Sequence, residues 1–272
     1  MTETRSILKH STINRRVLLM TACLLTTSLC TYSQNLLSRI EIDSIQSAYV
    51  DRPGDVYVLL KNNSLTKFDQ NGKFLNHQNF PEPPTLFDPR DGSRAFVYVQ
   101  KLQQCSFYSE GTRQEYKIEP HYAIDPVLVC SSGDHQLWVV DRSDWSIKRI
   151  NPAQSNVVAE AWIDQKQFTQ APAFIFLREY QNFLFMIEKN TGILVFNNLG
   201  TQIKKIAVTG IDYLGFLGEE VYYKKEGKLI FFDLYDGSTR EIPVDPACKY
   251  VLLTDTRKFL VYGNKIEILD IN

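Results

Sequence analysis

"DVYVLLKNNSLTKFDQNGKFL", Asp55 to Leu75, falls into three short apolar runs separated by "KNNS" and "DQNG". The runs are rich in Val, Leu, Phe and Tyr, and none is long enough, or periodic enough at 3.6, for a helix. The breaks carry Asn, Asp and Gly, which tolerate positive φ and hydrogen-bond their own backbone, so they read as tight turns. The stretch is therefore three consecutive strands. Whether it stands alone or recurs decides the fold.

It recurs. The aliphatic–aromatic pair Val56-Tyr57 returns as Val97-Tyr98, Leu137-Trp138, Leu184-Phe185, Val221-Tyr222 and Val261-Tyr262, at intervals of 41, 40, 47, 37 and 40 residues. A turn and an apolar run precede each pair, as in "IQSAYV", "VLVC" and "YVLL". A third run follows it, and in five copies a fourth: "KFL", "EYKI", "VVAEAW", "QIKKI" and "TREI". Four short strands every 40 or so residues are the signature of a blade in a β-propeller. The expectation is an all-β, six-bladed β-propeller with four antiparallel strands per blade.

The ends of the chain support that count. The sixth unit stops at "KIEILDIN", its third strand, while an orphan strand at Leu36–Asp43 precedes the first complete unit. That N-terminal strand is predicted to join the last blade and close the ring, leaving no open edge between the termini.

"GDVYVLLKNNSLTKFDQNGKFL" resembles an NHL-type or related propeller repeat, with its glycine turn, "IYVAD"-like strand, "I-x-x-F-D"-like strand and trailing "G-x-x-L". The resemblance runs over residues 34–272 at the level of blade pattern. It is strongest in the first blade and implies an architecture without an activity. An exported, divergent propeller is similar to many proteins of bacterial envelopes.

Residues 1–33 differ from the rest. Arg5, Lys9, Arg15 and Arg16 make a basic start, "VLLMTACLLTTSL" a short apolar core, and "TYS" a cleavage-like tripeptide before Gln34. This is the pattern of a signal peptide. The apolar core is short for a transmembrane helix. "LMTAC" also resembles a lipoprotein box ending at Cys23, although apolar "LLTT" follows where a polar tether is expected. "RRVLL" resembles a twin-arginine signal or a plain basic leader. The domain reading is a signal segment over 1–33 and one propeller over 34–272, exported to the periplasm, cell surface or medium.

Composition narrows the function. Apolar residues at 44% and charged residues at 22% describe a globular chain. A net charge of −1, moving to −4 without residues 1–33, offers no basic field for nucleic acid. Cys105, Cys130 and Cys248 lie far apart without CxxC or histidine spacing, so they read as small buried residues rather than a zinc site. No GxSxG or P-loop is present.

Propellers usually bind on the face made by loops joining second to third strands and one blade to the next. There "VVDRSDW" places Asp141, Arg142, Asp144 and Trp145 in one short loop, a hot-spot composition or a capped turn with its tryptophan on the blade edge. The 47-residue interval puts extra length at "WIDQKQFTQAPA", Trp162 to Ala173, which either folds over the channel mouth or is a tolerated insertion. Lactonase-like six-bladed enzymes hold Ca²⁺ at that mouth with oxygen ligands. Asn63, Asp125, Asp141, Asn190 and Asp212 occupy roughly suitable loops, without repeating at one equivalent position. His77 and His121 sit in equivalent connections of blades one and two, as a site pair or as solvated turn residues.

The expected function is a monomeric binding or scaffold propeller that docks a protein partner at the cell envelope. The binding residues read from the sequence are Asp141, Arg142, Asp144, Trp145 and Trp162. The alternatives are a calcium-dependent, lactonase-like hydrolase and a carbohydrate-binding propeller. The latter needs several exposed aromatics on one face, and the sequence places only Trp145 and Trp162 there.

Overall fold

The computed structural model describes residues 35–271 except 91–93 and 110–111. The signal segment and Cys23 lie outside the described residues. The strand opening the described chain, β1 (Leu36–Glu41), is separated by one turn from β2 (Ile45–Val50), β3 (Val56–Leu60), β4 (Ser64–Phe68) and β5 (Phe74–Asn79). These last four make blade one, so the quoted stretch is its second, third and fourth strands.

Blade two is β6 (Leu86–Asp88), β7 (Arg94–Val99), β8 (Gln104–Ser109) and β9 (Thr112–Lys117). Blade three is β10 (Pro126–Ser131), β11 (Leu137–Asp141), β12 (Ser146–Asn151) and β13 (Asn156–Trp162). Blade four is β14 (Phe174–Tyr180), β15 (Phe183–Glu188), β16 (Gly192–Phe196) and β17 (Gln202–Ile206). Blade five is β18 (Gly215–Leu217), β19 (Glu220–Lys225), β20 (Lys228–Asp233) and β21 (Thr239–Pro243). Blade six takes β22 (Tyr250–Leu253), β23 (Arg257–Val261) and β24 (Lys265–Asp270), with β1 as its outer strand. The architecture is the six-bladed, four-stranded antiparallel propeller that the repeat implies.

The closing strand is two residues shorter than expected. It pairs with β24 in the register Ile40↔Ile266 and Glu41↔Lys265, and Ile42 then turns, its N–H bonding the Asn264 carbonyl. Ile40 is buried against Ile266 and Ile268, so the first strand contributes to the core of the last blade.

Burial follows the radius of each blade. The second and third strands hold the core positions and are wholly buried in β11 and β16. The outer strands β5, β9, β17 and β21 are mostly exposed and carry "LNHQN", "TRQEYK", "QIKKI" and "TREIP". Polar and charged residues on these outer strands protect the open edges from pairing with another chain.

The recurring aromatic is core in every blade: Tyr57, Tyr98, Trp138, Phe185, Tyr222 and Tyr262 are all buried. In three blades its polar atom also reaches the next blade. Tyr98 Oη donates to the Pro126 carbonyl (2.5 Å), Trp138 Nε1 donates to Glu179 Oε2 (2.6 Å), and Tyr222 Oη accepts the Leu253 N–H (2.8 Å). A buried hydroxyl or indole needs such a partner. The position that sets the sequence period therefore also ties neighbouring blades together.

Candidate functional site

Two regions carry the features expected of a site. The first is the rim of blade three, where the turn after β11 meets the connection from β9 to β10. Asp141 closes β11 and is buried. Its carboxylate accepts the N–H groups of Ile124 (2.9 Å), Asp125 (3.0 Å) and Ser143 (2.9 Å), with Lys148 Nζ at 3.5 Å. Burial works against its charge, but the bonds from Ser143, Ile124 and Asp125 outweigh it and hold the carboxyl below its ordinary value. Asp141 thus clamps one loop to the other.

The rest of "DRSDW" is built around that clamp. Arg142 Nε donates to Asp125 Oδ2 (2.8 Å) at the surface. Asp144 accepts from the Ser146 N–H (3.0 Å), Ser146 Oγ (2.6 Å) and Lys148 Nζ (3.1 Å). Trp145 takes a left-handed conformation, φ 60°, and is half-buried against Phe174 and Phe168, with ring centroids 6.1 and 6.5 Å away. Trp162 ends β13 opposite Ser146, and the next N–H, of Ile163, bonds the Trp145 carbonyl (2.8 Å). The structure therefore brings all five sequence-predicted residues to one corner of blade three, with unequal exposure. Trp162 is 67% exposed, whereas Asp141 is a framework group.

Two neighbours escaped the sequence reading. Ile124 is 70% exposed and Leu102 41% exposed. Gln103 Nε2, beside Leu102, donates to the Ile124 carbonyl at 3.5 Å. Leu102 lies between the second and third strands of blade two, so both sit on the same face as Arg142 and Trp162. An apolar residue inside the polar connection "EPHYAIDP" was the available signal.

The connection after Trp162 turns outward. Asp164 caps a short 3-10 turn at Gln165–Gln167, Phe168 packs on Trp145 and Phe174, and Gln167 bonds Gln202 at the start of β17 (3.0 Å). None of residues 163–173 lines the channel cavities described next.

The second region is the central channel. One cavity of about 290 Å³ lies among the starts of the inner strands, walled by Tyr49, Phe87, Phe176, Tyr213 and Tyr250. A second, of about 410 Å³, lies at the opposite end, among the turns that follow those strands. Arg178 and Tyr213 line both. β10 adds no wall to either; its residues are buried from Pro126 to Cys130.

Asp88, buried at the end of β6, lies 3.3 Å from Arg178 Nη2 and 3.2 Å from Arg90 Nη2. Burial alone would raise its pKa; the Arg178 and Arg90 charges and the Arg90 N–H reverse this and lower it. Tyr49, Tyr213 and Tyr250 are raised by burial and stay neutral. The sequence signal for this cluster was a charge inside each of the apolar runs "TLFDP" and "FIFLREY".

The other expected groups are dispersed. Of Asn63, Asp125, Asp141, Asn190 and Asp212, Asp212 alone lines a channel cavity. Asn190 bonds Glu188, and Asn63 is a left-handed turn residue. Among the described residues, no group of three or more His, Cys, Asp and Glu is arranged to hold a metal ion. His77 lies within β5 rather than in a connection and contacts Thr66 Oγ1 through Nδ1 (3.1 Å), while the His121 ring rests on Tyr122. Cys105, Cys130 and Cys248 are free and buried. Burial pushes the Cys105 thiol up to about 12 and raises the other two. Two of them are on strands, but Cys248 sits in the turn before β22.

No family model matches the chain, and no curated protein matches it in sequence. Solved structures do match. Virginiamycin B lyase from Staphylococcus aureus is 13% identical at a TM-score of 0.56, over 86% of this chain and 99% of that one. A Bacteroides thetaiotaomicron protein of unknown function is 10% identical at 0.61, over 88% and 72%. The extracellular domain of a Bacteroides thetaiotaomicron protein described as a hybrid two-component system is 13% identical at 0.54, over 84% of this chain and 34% of that one. At these identities the likeness establishes architecture alone: the chain is a six-bladed β-propeller.

Proposed function

We propose that the protein is an exported binding propeller that docks a protein partner at the cell envelope through the rim of blade three. One observation carries this reading. Trp162 and Ile124, at 67% and 70% exposure, flank the Arg142–Asp125 pair on a single face. Large apolar side chains around an arginine match the composition of interface hot spots. The surface is also rigid: Asp141 fixes the Ile124 and Asp125 backbone, and the Trp145 carbonyl fixes Ile163. A preordered patch loses little conformational freedom on binding. Arg142, Trp162 and Ile124 are the contact residues; Asp141, Asp144 and Trp145 hold them in place.

Residues 1–33 carry the export signal in this reading, and the mature chain begins at Gln34. None of the described helices is long and apolar enough to cross a membrane.

The test is crosslinked co-purification from the envelope fraction, comparing the unmodified protein with an Ile124→Asp/Trp162→Ala double variant. The expected result is one protein recovered by the first and lost by the second at unchanged thermal stability. Equal recovery by both places the partner elsewhere on the molecule.

A further inference from the structure

The 410 Å³ cavity, at the end of the channel away from the blade-three rim, has an unusual charge balance. Three arginines line it: Arg52 from the turn after β2, Arg90 from the turn after β6, and Arg178 from β14. The Arg52 N–H bonds the Arg90 carbonyl (3.0 Å), which fixes two of those turns together.

The carboxylates around them are mostly committed. Asp51 is buried and accepts from the Gly54 and Asp55 N–H groups and from Tyr57 Oη, with Lys67 at 4.0 Å. Asp88 is shared between Arg90 and Arg178, one negative charge for two positive. Asp255 is exposed to solvent, which screens it. Arg52 forms no ion pair among the described residues. Nε of Arg178 and Nε of Arg90 are buried without a hydrogen-bond partner, while Arg90 Nη2 faces Asp88 Oδ2 at 3.2 Å. Buried cationic donors that lack acceptors are costly, and negative charge placed beside them offsets that cost.

The walls between the arginines are aromatic. Tyr180 and Phe216 pack with ring centroids 4.7 Å apart, and the Arg178 guanidinium lies 5.3 Å from the Phe216 centroid. Tyr213 and Tyr222 complete that side. The volume falls in the range of about 300–1,000 Å³ usual for small-molecule sites. Guanidinium groups bind carboxylate and phosphate oxygens through paired N–H donors.

We propose that this cavity binds a small dianion with a flat apolar body, a phosphate monoester or a dicarboxylate, held by Arg52, Arg90 and Arg178 against the Tyr180–Phe216 wall. The site is independent of the rim on blade three.

The test uses the full propeller with phenyl phosphate, phthalate and the neutral control benzyl alcohol, read by calorimetry and thermal shift at constant ionic strength. Phenyl phosphate or phthalate is expected to bind with Kd below about 1 mM and to raise Tm, with benzyl alcohol inert. Whichever dianion binds more tightly assigns the subclass. Arg52→Gln, whose side chain holds no part of the fold, should leave the Tm of the free protein unchanged and weaken binding at least about fivefold. Arg178→Lys should weaken it as well; if that variant fails to fold, Arg52→Gln alone decides. The proposal is overturned if neither dianion binds at about 10 mM, or if Arg52→Gln binds as well as the unmodified protein, since a general salt effect on stability would survive that change.

Discussion

Arg178 Nη2 lies 3.3 Å from Asp88 Oδ1, so an ion pair joins the inner strands of blades four and two past blade three. Asp88 also meets Arg90 at 3.2 Å and is itself buried. Removing one partner of a buried pair leaves uncompensated charge, at a cost of about 3 kcal/mol. Asp88→Asn should lose roughly that much stability at neutral pH. The pH dependence follows from the lowered pKa. An unfolded Asp titrates near about 3.9, so the contribution is complete above that value. It is lost as pH falls through the lower folded value. Urea titrations at a series of pH values should show the gap between the two proteins closing in acid. A gap that is constant with pH contradicts the assignment.

Tyr222 links blades five and six. Its hydroxyl accepts the buried Leu253 N–H, and Gly215 lies so close that an added Cβ would stand 2.0 Å from its ring. Tyr222→Phe should cost about 1–3 kcal/mol, the penalty for stranding one buried donor. Gly215→Ala should cost at least about 2 kcal/mol, because both the strand and the ring are packed and cannot retreat. Chemical denaturation measures both. A neutral Gly215→Ala would contradict this close packing of the Tyr222 ring on β18.

Ring closure is tested at the terminus. Deleting residues 34–41 removes the Ile40 contact with Ile266 and Ile268 and bares the edge of β24. The truncated protein should melt at a lower temperature with a broader transition, and should self-associate in size-exclusion chromatography through its unpaired edge. An unchanged Tm would show that β1 adds nothing to closure.

Most of this architecture was legible in the sequence, for a physical reason. Each blade needs four short strands and tight turns, so the Val56-Tyr57 pair and its successors mark the period directly. The aromatic at that position does two jobs in Tyr98, Trp138 and Tyr222, core filling and bonding between blades, which helps to explain its recurrence. The site was less legible. Asp141 looked like a binding residue because charged loop residues usually face solvent, yet its charge is spent on backbone N–H groups. Asp88 and Arg178 directly follow the apolar runs "TLF" and "AFIFL" and look like the first residues of turns. Only the closing of six blades turns an inner-strand charge toward a common axis, and no local pattern encodes that convergence. Ile124 was hidden similarly, since its exposure depends on Asp141 pinning the loop.

The two tryptophans of blade three should behave oppositely. Trp145 packs on Phe168 and Phe174, so Trp145→Ala should lower stability by about 2 kcal/mol, less than for a fully buried ring. Trp162 is mostly exposed, and Trp162→Ala should fall within about 0.5 kcal/mol of the unmodified protein. Thermal and urea unfolding of the pair separate framework from contact surface.

The proposed docking rim is tested most directly by photo-crosslinking in intact cells. A photoreactive residue at position 162 is compared with one at Tyr235, which is similarly exposed but lies on blade five, in the turn after β20. A discrete crosslinked envelope protein is expected from position 162 and none from position 235. The same product from both positions, or none from position 162, would contradict the proposed rim.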